Sequence, residues 1–341
     1  MPPRRLLAAA TLILPALVLV ACGSDGEEGV DESQLVVYSG RQESLVQPLI
    51  DDFEEETGIE VSVRYGNTAQ LAAQIIEEGE RTKADVYFAQ DGGALGALAK
   101  EDMLMELPSG LLDTVDPRYR ADDGTWIGTS GRSRVIVYDP DQLTEDEVPD
   151  TVFELTDATW KGKVGIAPSN ASFEAFVTAI RVLEGDDRAR QWLDGMAAND
   201  VQLFDNNVLI LNAAEDGVIE LGLINHYYWY EQVAEEGLDA VPARLKFLPG
   251  GDPGALVNVA GVGVLEDTDR EDDAVRFAEY LLSEHAQTFF AEETKEYPLI
   301  DGIQVVDDLP PLESLQSPEI DLSDLDTLDE TLQMIEEAGL T

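Results

Sequence analysis

Two adjacent tyrosines, Tyr227 and Tyr228, are the residues of this chain whose types and spacing point most clearly to chemistry. They follow a predicted strand at 221–224 and precede a helix predicted to begin near Glu231. Ligands of α/β sheets bind beyond the carboxyl ends of the strands, so both phenols are expected to face a cleft. Neighbouring side chains diverge in helices and strands, so we expect both rings to reach one ligand only from an irregular turn.

Paired phenolate oxygens are hard, anionic donors that suit a trivalent cation such as ferric iron, which can displace protons that otherwise leave near pH 10. Two other interpretations remain open. The aromatic segment 225–230 could fill a core or lobe interface, which we favour for Trp229 and Tyr230, or it could form a cage for a quaternary amine or polyamine. His226 and His285 are expected to lie away from a ligand.

The composition excludes several classes of protein. The chain has 341 residues, with 70 Asp plus Glu against 21 Lys plus Arg, and its net charge of -49 argues against nucleic acid as a partner. An apolar fraction of 44% is sufficient for a core. One cysteine excludes a disulfide framework, and two histidines leave few ways to build a zinc site. We expect a monomer without enzymatic activity.

The N-terminal segment has the pattern of an export signal. Arg4 and Arg5 precede an apolar run at 6–21, so residues 1–21 are predicted to be a signal peptide. The run ends at Cys22 in a sequence that resembles the lipidation box of bacterial lipoproteins; an ordinary cleaved signal is the alternative. Residues 22–34 then form an acidic tether. The predicted location is the outer face of the cell membrane, or the periplasm, with the lipid as the only membrane contact.

The elements that must position the tyrosines form two α/β lobes. Strands and helices alternate as β-α-β-α-β over 35–100, and the pattern restarts after residue 134, which predicts two doubly wound lobes. Lobe 1 comprises 35–133 and 258–308, and lobe 2 comprises 134–257 and 309–341. Strands at 135–138 and 257–264 are predicted to cross between them as a hinge. A terminal helix is predicted after a Thr327–Glu330 capping box.

Short sequence strings from residue 35 to the C-terminus together resemble one family, the ferric-ion-binding proteins of bacterial ABC iron importers. The strings are 38–41 (YSGR), 55–61 (EETGIEV), 84–88 (ADVYF), 130–134 (SGRSR), 160–163 (WKGK), 227–230 (YYWY), 252–256 (DPGAL) and 296–299 (EYPL). The resemblance implies a type II periplasmic-binding-protein fold, ferric iron as cargo and an ABC permease as partner.

The resemblance also implies metal ligands, with departures. The adjacent tyrosine ligands fall on Tyr227 and Tyr228, whereas a histidine ligand falls on Gln42, a glutamate ligand on Gln90 and a further tyrosine on Asn170. Neutral amides are weak ferric ligands, so Gln42 and Gln90 are expected to hydrogen-bond a water or an anion. Iron would therefore need further donors, from water, carbonate, phosphate or a chelate such as citrate.

An anion site is expected at segment 168–173, where a strand passes into a helix whose N-terminus favours negative charge. The resemblance implies that two asparagines outside this loop, Asn207 and Asn225, also contact the anion. The candidate anion-binding residues are Asn170, Ala171, Ser172, Asn207 and Asn225, with Arg41 and Arg132 as bidentate partners. An interlobe salt bridge is the alternative for Arg132 and Arg134.

The sequence therefore predicts a lipoprotein that captures ferric iron for an ABC permease. One alternative keeps the clamp but changes the cargo to a polyamine, a thiamine-like cation or an organophosphonate. The weakest alternative is a lipid-anchored hydrolase, because the chain contains neither a G-x-S-x-G nor an H-E-x-x-H motif.

Overall fold

The computed structural model describes residues 30–306 and 308–341. Cys22, the predicted signal peptide and most of the predicted tether lie outside the described residues. The strands are β1 Leu35–Ser39, β2 Val61–Tyr65, β3 Val86–Ala89, β4 Trp126–Tyr138, β5 Val164–Ile166, β6 Gln202–Leu203, β7 Leu221–Asn225, β8 Arg244–Lys246, β9 Val257–Val264 and β10 Tyr297–Pro298. The helices are α1 Glu43–Thr57, α2 Thr68–Glu78, α3 Gly92–Lys100, α4 Ser109–Leu112, α5 Ala171–Glu184, α6 Asp186–Ala198, α7 Asn207–Glu215, α8 Tyr227–Glu236, α9 Glu271–Leu281, α10 Glu284–Glu292 and α11 Leu328–Glu337.

The strands in the described part of the chain form one hydrogen-bonded path that passes through both lobes. Its order is β2-β1-β3-β9-β4-β7-β5-β6, with β8 and β10 also paired to β4. β1 is parallel to β2 and β3, and β5 is parallel to β6 and β7, as expected for alternating strands and helices. β4 and β9 run antiparallel to their neighbours. The predicted α/β fold with two doubly wound lobes is confirmed.

β4 is the strand that joins the lobes. Its first part, from Trp126 to Ser133, pairs with β9, and its second part, from Arg134 to Tyr138, pairs with β7. The strand is buried along its whole length, which explains its run of apolar and small residues, interrupted by Arg132 and Arg134. The change of partner between Ser133 and Arg134 marks the hinge. The predicted crossing strand at 135–138 is thus the second half of a longer one.

The prediction that the strand at 257–264 crosses between the lobes is wrong. β9 pairs with β3 and with the first part of β4, so it belongs to lobe 1. β8 pairs with Ile136, Val137 and Tyr138 in lobe 2. The chain therefore returns to lobe 1 in the connection between β8 and β9, in which Pro253–Ala255 forms a 3-10 turn.

The C-terminal segment contacts both lobes, although 309–341 was assigned to lobe 2 alone. Leu322 and Leu325 pack in the lobe 1 core, whereas Met334 and Ile335 pack in the lobe 2 core. The predicted capping box is also wrong, because the Thr327 side chain makes no capping hydrogen bond to α11. Its hydroxyl accepts a hydrogen bond from Arg181 of α5 instead. The remaining lobe boundaries stay a prediction.

Each lobe buries its own apolar core. Lobe 1 has one large cluster, and the lobe 2 sheet has a cluster on each face, as expected for a sheet covered by helices on both sides. Within the described ranges, no helix is both long enough and apolar enough to span a membrane. The carboxyl ends of β5 and β7 lie at one edge of the lobe 2 sheet, beside the point where β4 crosses. This edge positions the candidate site.

Candidate metal centre

Tyr227 and Tyr228 lie side by side at the start of α8. β7 ends at Asn225, His226 is the N-cap residue, and the two tyrosines are the first residues of the helix. Their ring centroids are 4.2 Å apart, and their planes are inclined by 31°. Tyr227 is buried and Tyr228 is partly exposed.

The predicted irregular turn is wrong, because both tyrosines have helical positions. Side chains of a helix lean toward its N-terminus, so rings from the first turn can project beyond the helix end. Adjacent rings can meet there, although residues deeper in the helix would diverge by about 100°. The helix end thus replaces the turn as the device that brings two neighbouring phenols together.

The environment of Tyr227 keeps its phenol protonated. Burial raises the pKa of Tyr227 well above its ordinary value of 10, and the neighbouring Tyr228 raises this pKa further. The guanidinium of Arg132 acts in the opposite direction and lowers the pKa. At pH 7 a cation that binds the Tyr227 oxygen must therefore displace a proton, so its binding is coupled to proton release.

Arg132 and Arg134 lie two residues apart on β4, and both line a small pocket whose lining does not include Tyr227 or Tyr228. They are buried, with 4% and 3% of their surfaces exposed. Nε and Nη1 of Arg132 and Nη1 of Arg134 have no hydrogen-bond partner among the described residues. Burial lowers the pKa of Arg134 to about 10, whereas Tyr228 and Tyr227 raise it, which places the guanidinium within electrostatic range of both phenols.

Unpartnered N–H groups of buried guanidiniums are costly, and an anion would satisfy them. The pocket also contains polar groups that can contact an anion. The residues that line it are Gln90, Asp91, Arg132, Arg134, Ala171, Ser172, Phe176, Asn225, Leu256 and Asn258. The donor set therefore matches a small anion held next to a metal bound by phenolates.

The anion-site residues predicted on α5 are partly engaged with one another. Asn170 Oδ1 accepts hydrogen bonds from the Ser172 amide at 3.0 Å and from Ser172 Oγ at 2.6 Å, so Asn170 serves as the helix cap. Arg134 Nη2 donates to Ser172 Oγ at 2.9 Å. Ala171 and Ser172 line the pocket, and Asn225 joins them from the end of β7.

Of the other predicted site residues, some line this pocket and some do not. Gln90 lines the pocket, and its main-chain carbonyl accepts a hydrogen bond from Arg132 Nη2. Gln42 is exposed at the start of α1 and is not among the residues that line this pocket. Asn207 does not line the pocket either; it is buried at the start of α7, where its Nδ2 has no hydrogen-bond partner in the described part of the chain.

Arg41 is held by a carboxylate that the sequence interpretation did not assign to any role. Arg41 Nη1 and Nη2 donate to Glu296 Oε1 and Oε2 at 3.1 and 2.8 Å, and both side chains are buried. Ser130 and Thr294 hydroxyls donate to the same carboxylate at 2.8 and 3.2 Å. Burial alone would raise the pKa of Glu296, but Arg41 and Arg132 hold it below its ordinary value. Arg41 is thus neutralised within the protein.

Sequence reasoning also gave no site role to Asp91 and Asn258, which line the pocket. Asp91 lies two residues after the end of β3 and caps α3, a strand-to-helix position that could have identified it. Asn258 lies within β9, and its local sequence gives no such signal. Among the described residues, no cluster of three or more His, Cys, Asp or Glu side chains could hold a metal ion.

Comparisons with known proteins show which family the chain resembles. Residues 81–322 match the family model described as bacterial extracellular solute-binding protein. The chain is 33% identical over 310 residues to the major ferric iron-binding protein of Neisseria meningitidis serogroup B, which covers 90% of this chain and 93% of the relative.

Solved structures of similar proteins also match most of the chain. The iron-bound HitA of Pseudomonas aeruginosa is 34% identical, with a TM-score of 0.83, covering 90% of this chain and 99% of that one. A Trichodesmium protein in complex with iron and citrate is 26% identical, with a TM-score of 0.77, covering 90% of this chain and 100% of that one. The matches in sequence and fold extend over most of the chain, and it belongs to the bacterial extracellular solute-binding proteins.

Proposed function

We propose that this protein captures ferric iron outside the cytoplasm and delivers it to an ABC permease. The observation that carries the proposal is the stacked Tyr227–Tyr228 pair next to two buried arginines with unpartnered N–H groups. Relatives named as ferric iron-binding proteins and an iron-bound structure support the same cargo. The protein binds and releases its solute without catalysing a reaction.

Charge balance explains why phenols and arginines belong together. Ferric iron bound by two phenolates keeps one positive charge, and a divalent anion such as carbonate would supply one or two further oxygen donors, with water at the remaining positions. Arg132 and Arg134 would then neutralise the anion and satisfy their own buried N–H groups. Tyr227 and Tyr228 are the proposed metal ligands, and the phenols supply the preference for a hard cation.

The proposed anion site combines the two arginines with the start of α5 and the end of β7. Ala171, Ser172 and Asn225 contact the anion in this proposal, while Asn170 caps the helix that presents them. Gln90 is proposed to hydrogen-bond the anion or a metal-bound water. Gln42 and Asn207 remain proposed contacts that depend on how far the lobes close around the cargo.

A small anion suits this site better than a bulky chelate. The pocket adjoins a second cavity of about 380 Å³ through Asp91 and Ala171. That cavity has no Lys or Arg in its lining and five carboxylates, from Asp91, Glu174, Asp326, Asp329 and Glu330. Citrate carries several negative charges and would be repelled there. We therefore propose carbonate or phosphate as the synergistic anion, with citrate as the alternative.

The N-terminal predictions belong to the same proposal. Cleavage before Cys22 and lipidation of its sulfur would anchor the protein at the outer face of the cell membrane, with 22–34 as the tether. The mature protein is proposed to act as a monomer that docks on the permease.

An organophosphonate is the second candidate cargo, because the two arginines would bind its phosphonate group. The same arginines disfavour the polyamine and thiamine-like alternatives, since a cation would be repelled by them.

Absorbance titration with ferric iron in the presence of bicarbonate tests the proposal. We expect a visible phenolate-to-iron charge-transfer band that weakens or disappears in Tyr227→Phe and Tyr228→Phe. Tyr230→Phe is the matched control, because Tyr230 is on the same helix but donates its hydroxyl to the Asp308 carbonyl at 3.0 Å. Binding of an alkylphosphonate with no iron band would favour the second candidate instead.

A further inference from the structure

We propose that His226 is a positioning residue that holds the two phenols against the hinge strand through hydrogen bonds at both ring nitrogens. The proposal rests on the proposed function and adds a residue that determines how the phenol pair is aimed. Sequence reasoning treated this histidine only as a neighbour of the tyrosines.

All the hydrogen-bonding groups of the His226 ring are engaged with main chain. Its Nδ1 accepts from the Ser133 amide at 3.2 Å, and its Nε2 lies 3.0 Å from the Lys295 carbonyl. Because Nδ1 accepts, Nε2 must carry the proton and donate it to Lys295. The His226 amide also donates to the Ser133 carbonyl at 3.0 Å. No ring nitrogen is left to bind iron.

Both partners of the ring belong to lobe 1, at its boundary with the hinge. Ser133 is the last residue of β4 that pairs with β9, and the next residue, Arg134, pairs with β7. Lys295 immediately precedes Glu296, whose carboxylate is held by Arg41 in lobe 1. The ring therefore ties the start of a lobe 2 helix both to the crossing strand and to the buried ion pair of lobe 1.

This attachment bears directly on the tyrosines, because His226 is the N-cap residue of α8. The His226 ring is fully buried, 4.8 Å from the Tyr297 ring and edge-on to the Tyr227 ring at 6.0 Å. A shift of the helix start by one residue would rotate the phenols by about 100° around the axis. Fixing His226 at two points therefore fixes the direction in which both phenols leave the helix.

Two substitutions separate positioning from simple packing. Glutamine at this position can accept from Ser133 and donate to Lys295, but it has no ring. Phenylalanine keeps a buried ring, but it removes both hydrogen bonds and leaves two main-chain groups unpaired. Positioning predicts that His226→Gln is the milder change, whereas packing predicts that His226→Phe is the milder one.

The experiment measures ferric iron binding with bicarbonate in wild type, His226→Gln, His226→Phe and the control His285→Gln, which alters the exposed histidine beside Asp52. We expect affinity within about threefold of wild type for His226→Gln, and a loss of about tenfold or more with a displaced charge-transfer band for His226→Phe. Equal loss in both variants, or a milder effect of phenylalanine, would overturn the assignment.

A measurement on iron-free protein separates this proposal from the proposed function. The near-ultraviolet circular dichroism of the stacked phenols is isolated as the difference between each variant and the same variant carrying Tyr228→Phe. We expect this signal to persist in His226→Gln and to be lost in His226→Phe. If wild type bound no iron, the proposed function would fail, while persistence of the signal in His226→Phe would refute the positioning role by itself.

Discussion

The buried arginines close to the hinge form two groups, Arg41 with its carboxylate partner and the pair Arg132 and Arg134. The two groups differ in the partners of their guanidiniums. Arg41 makes a bidentate ion pair with Glu296, whose carboxylate also accepts from Ser130 and Thr294. Arg132 reaches the same carboxylate only at 4.0 Å, and Arg134 makes no ion pair in the described ranges. Both keep N–H groups without hydrogen-bond partners and lie within electrostatic range of the phenols. A buried charge with its counterion inside the chain serves the fold, whereas one that lacks a counterion is available for a ligand.

The comparison also explains where lobe 1 and lobe 2 differ at the site. The Arg41–Glu296 ion pair, together with His226 bound to Lys295, forms a buried base in which Arg41 Nε is left without a hydrogen-bond partner among the described residues. The Arg132 guanidinium and the Tyr227 ring lie next to this base. We therefore expect substitutions in the base to change stability, and substitutions in the arginine pocket to change ligand affinity.

The largest expected effect is on the base. Glu296→Ala leaves the buried Arg41 guanidinium without its counterion, and we expect the free energy of unfolding to fall by about 3–5 kcal/mol. Urea denaturation of the iron-free protein followed by circular dichroism measures it. Unchanged stability would mean that the pair contributes nothing to the fold, and the contrast between the two groups would disappear.

The next effect concerns pH and the same base. Burial lowers the pKa of His226 from 6.5 to about 4. Below pH 6.5 the unfolded chain binds a proton at this side chain that the folded protein excludes, so the free energy of unfolding decreases as pH falls. We expect this side chain to account for roughly 3 kcal/mol of loss by pH 4.

The measurement compares urea denaturation of wild type and His226→Gln from pH 7 to pH 4, because other groups titrate equally in both proteins. The wild type is expected to lose stability more steeply over this interval. Parallel curves would indicate that the folded protein accommodates a protonated His226.

A substitution in the arginine pocket is expected to change ligand affinity without lowering stability. Arg134→Met removes a buried charge but keeps an unbranched stem, so we expect iron-free stability to be unchanged or higher. Iron affinity with bicarbonate should fall about 10–100-fold, because the anion loses a partner. Titration calorimetry measures the affinity, with Arg188→Met on α6 as the control for loss of charge. A stability loss without an affinity change would assign Arg134 to the fold.

The smallest effect is expected at the surface. Arg190 and Glu337 form an ion pair at 2.6 Å with both side chains about half exposed. Arg190→Gln should leave the urea midpoint and the iron affinity unchanged within error, since solvent screens exposed pairs. A clear loss of stability here would show that α11 depends on this contact more than its packing indicates.

The sequence predicted the alternating elements well because each has a local cause. A few neighbouring residues are enough to predict each of three features: the apolar alternation of β2, the glycine after α1 at a positive φ of 72°, and the amphipathic α9. The phenol pair was also identified locally, from two tyrosines at the end of a strand.

Other features depended on contacts that are distant in sequence. Arg41 and Glu296 are separated by 255 positions, so their pairing cannot be inferred from spacing. Thr327 fits a capping box, but the distant Arg181 binds its hydroxyl instead. The helix start at Tyr227 was missed because two neighbouring phenols were expected to reach one ligand only from an irregular turn. The hydrogen bonds of His226 to Ser133 and Lys295 fix the helix there instead.

Resonance Raman spectroscopy of the iron-loaded protein, excited in the visible band, tests the central proposal most directly. We predict ring vibrations of iron-bound tyrosinate that weaken in Tyr228→Phe, disappear in the Tyr227→Phe/Tyr228→Phe double variant and remain in Tyr230→Phe. Iron-loaded wild type without tyrosinate vibrations, or with vibrations that survive in the double variant, would contradict iron binding by this pair.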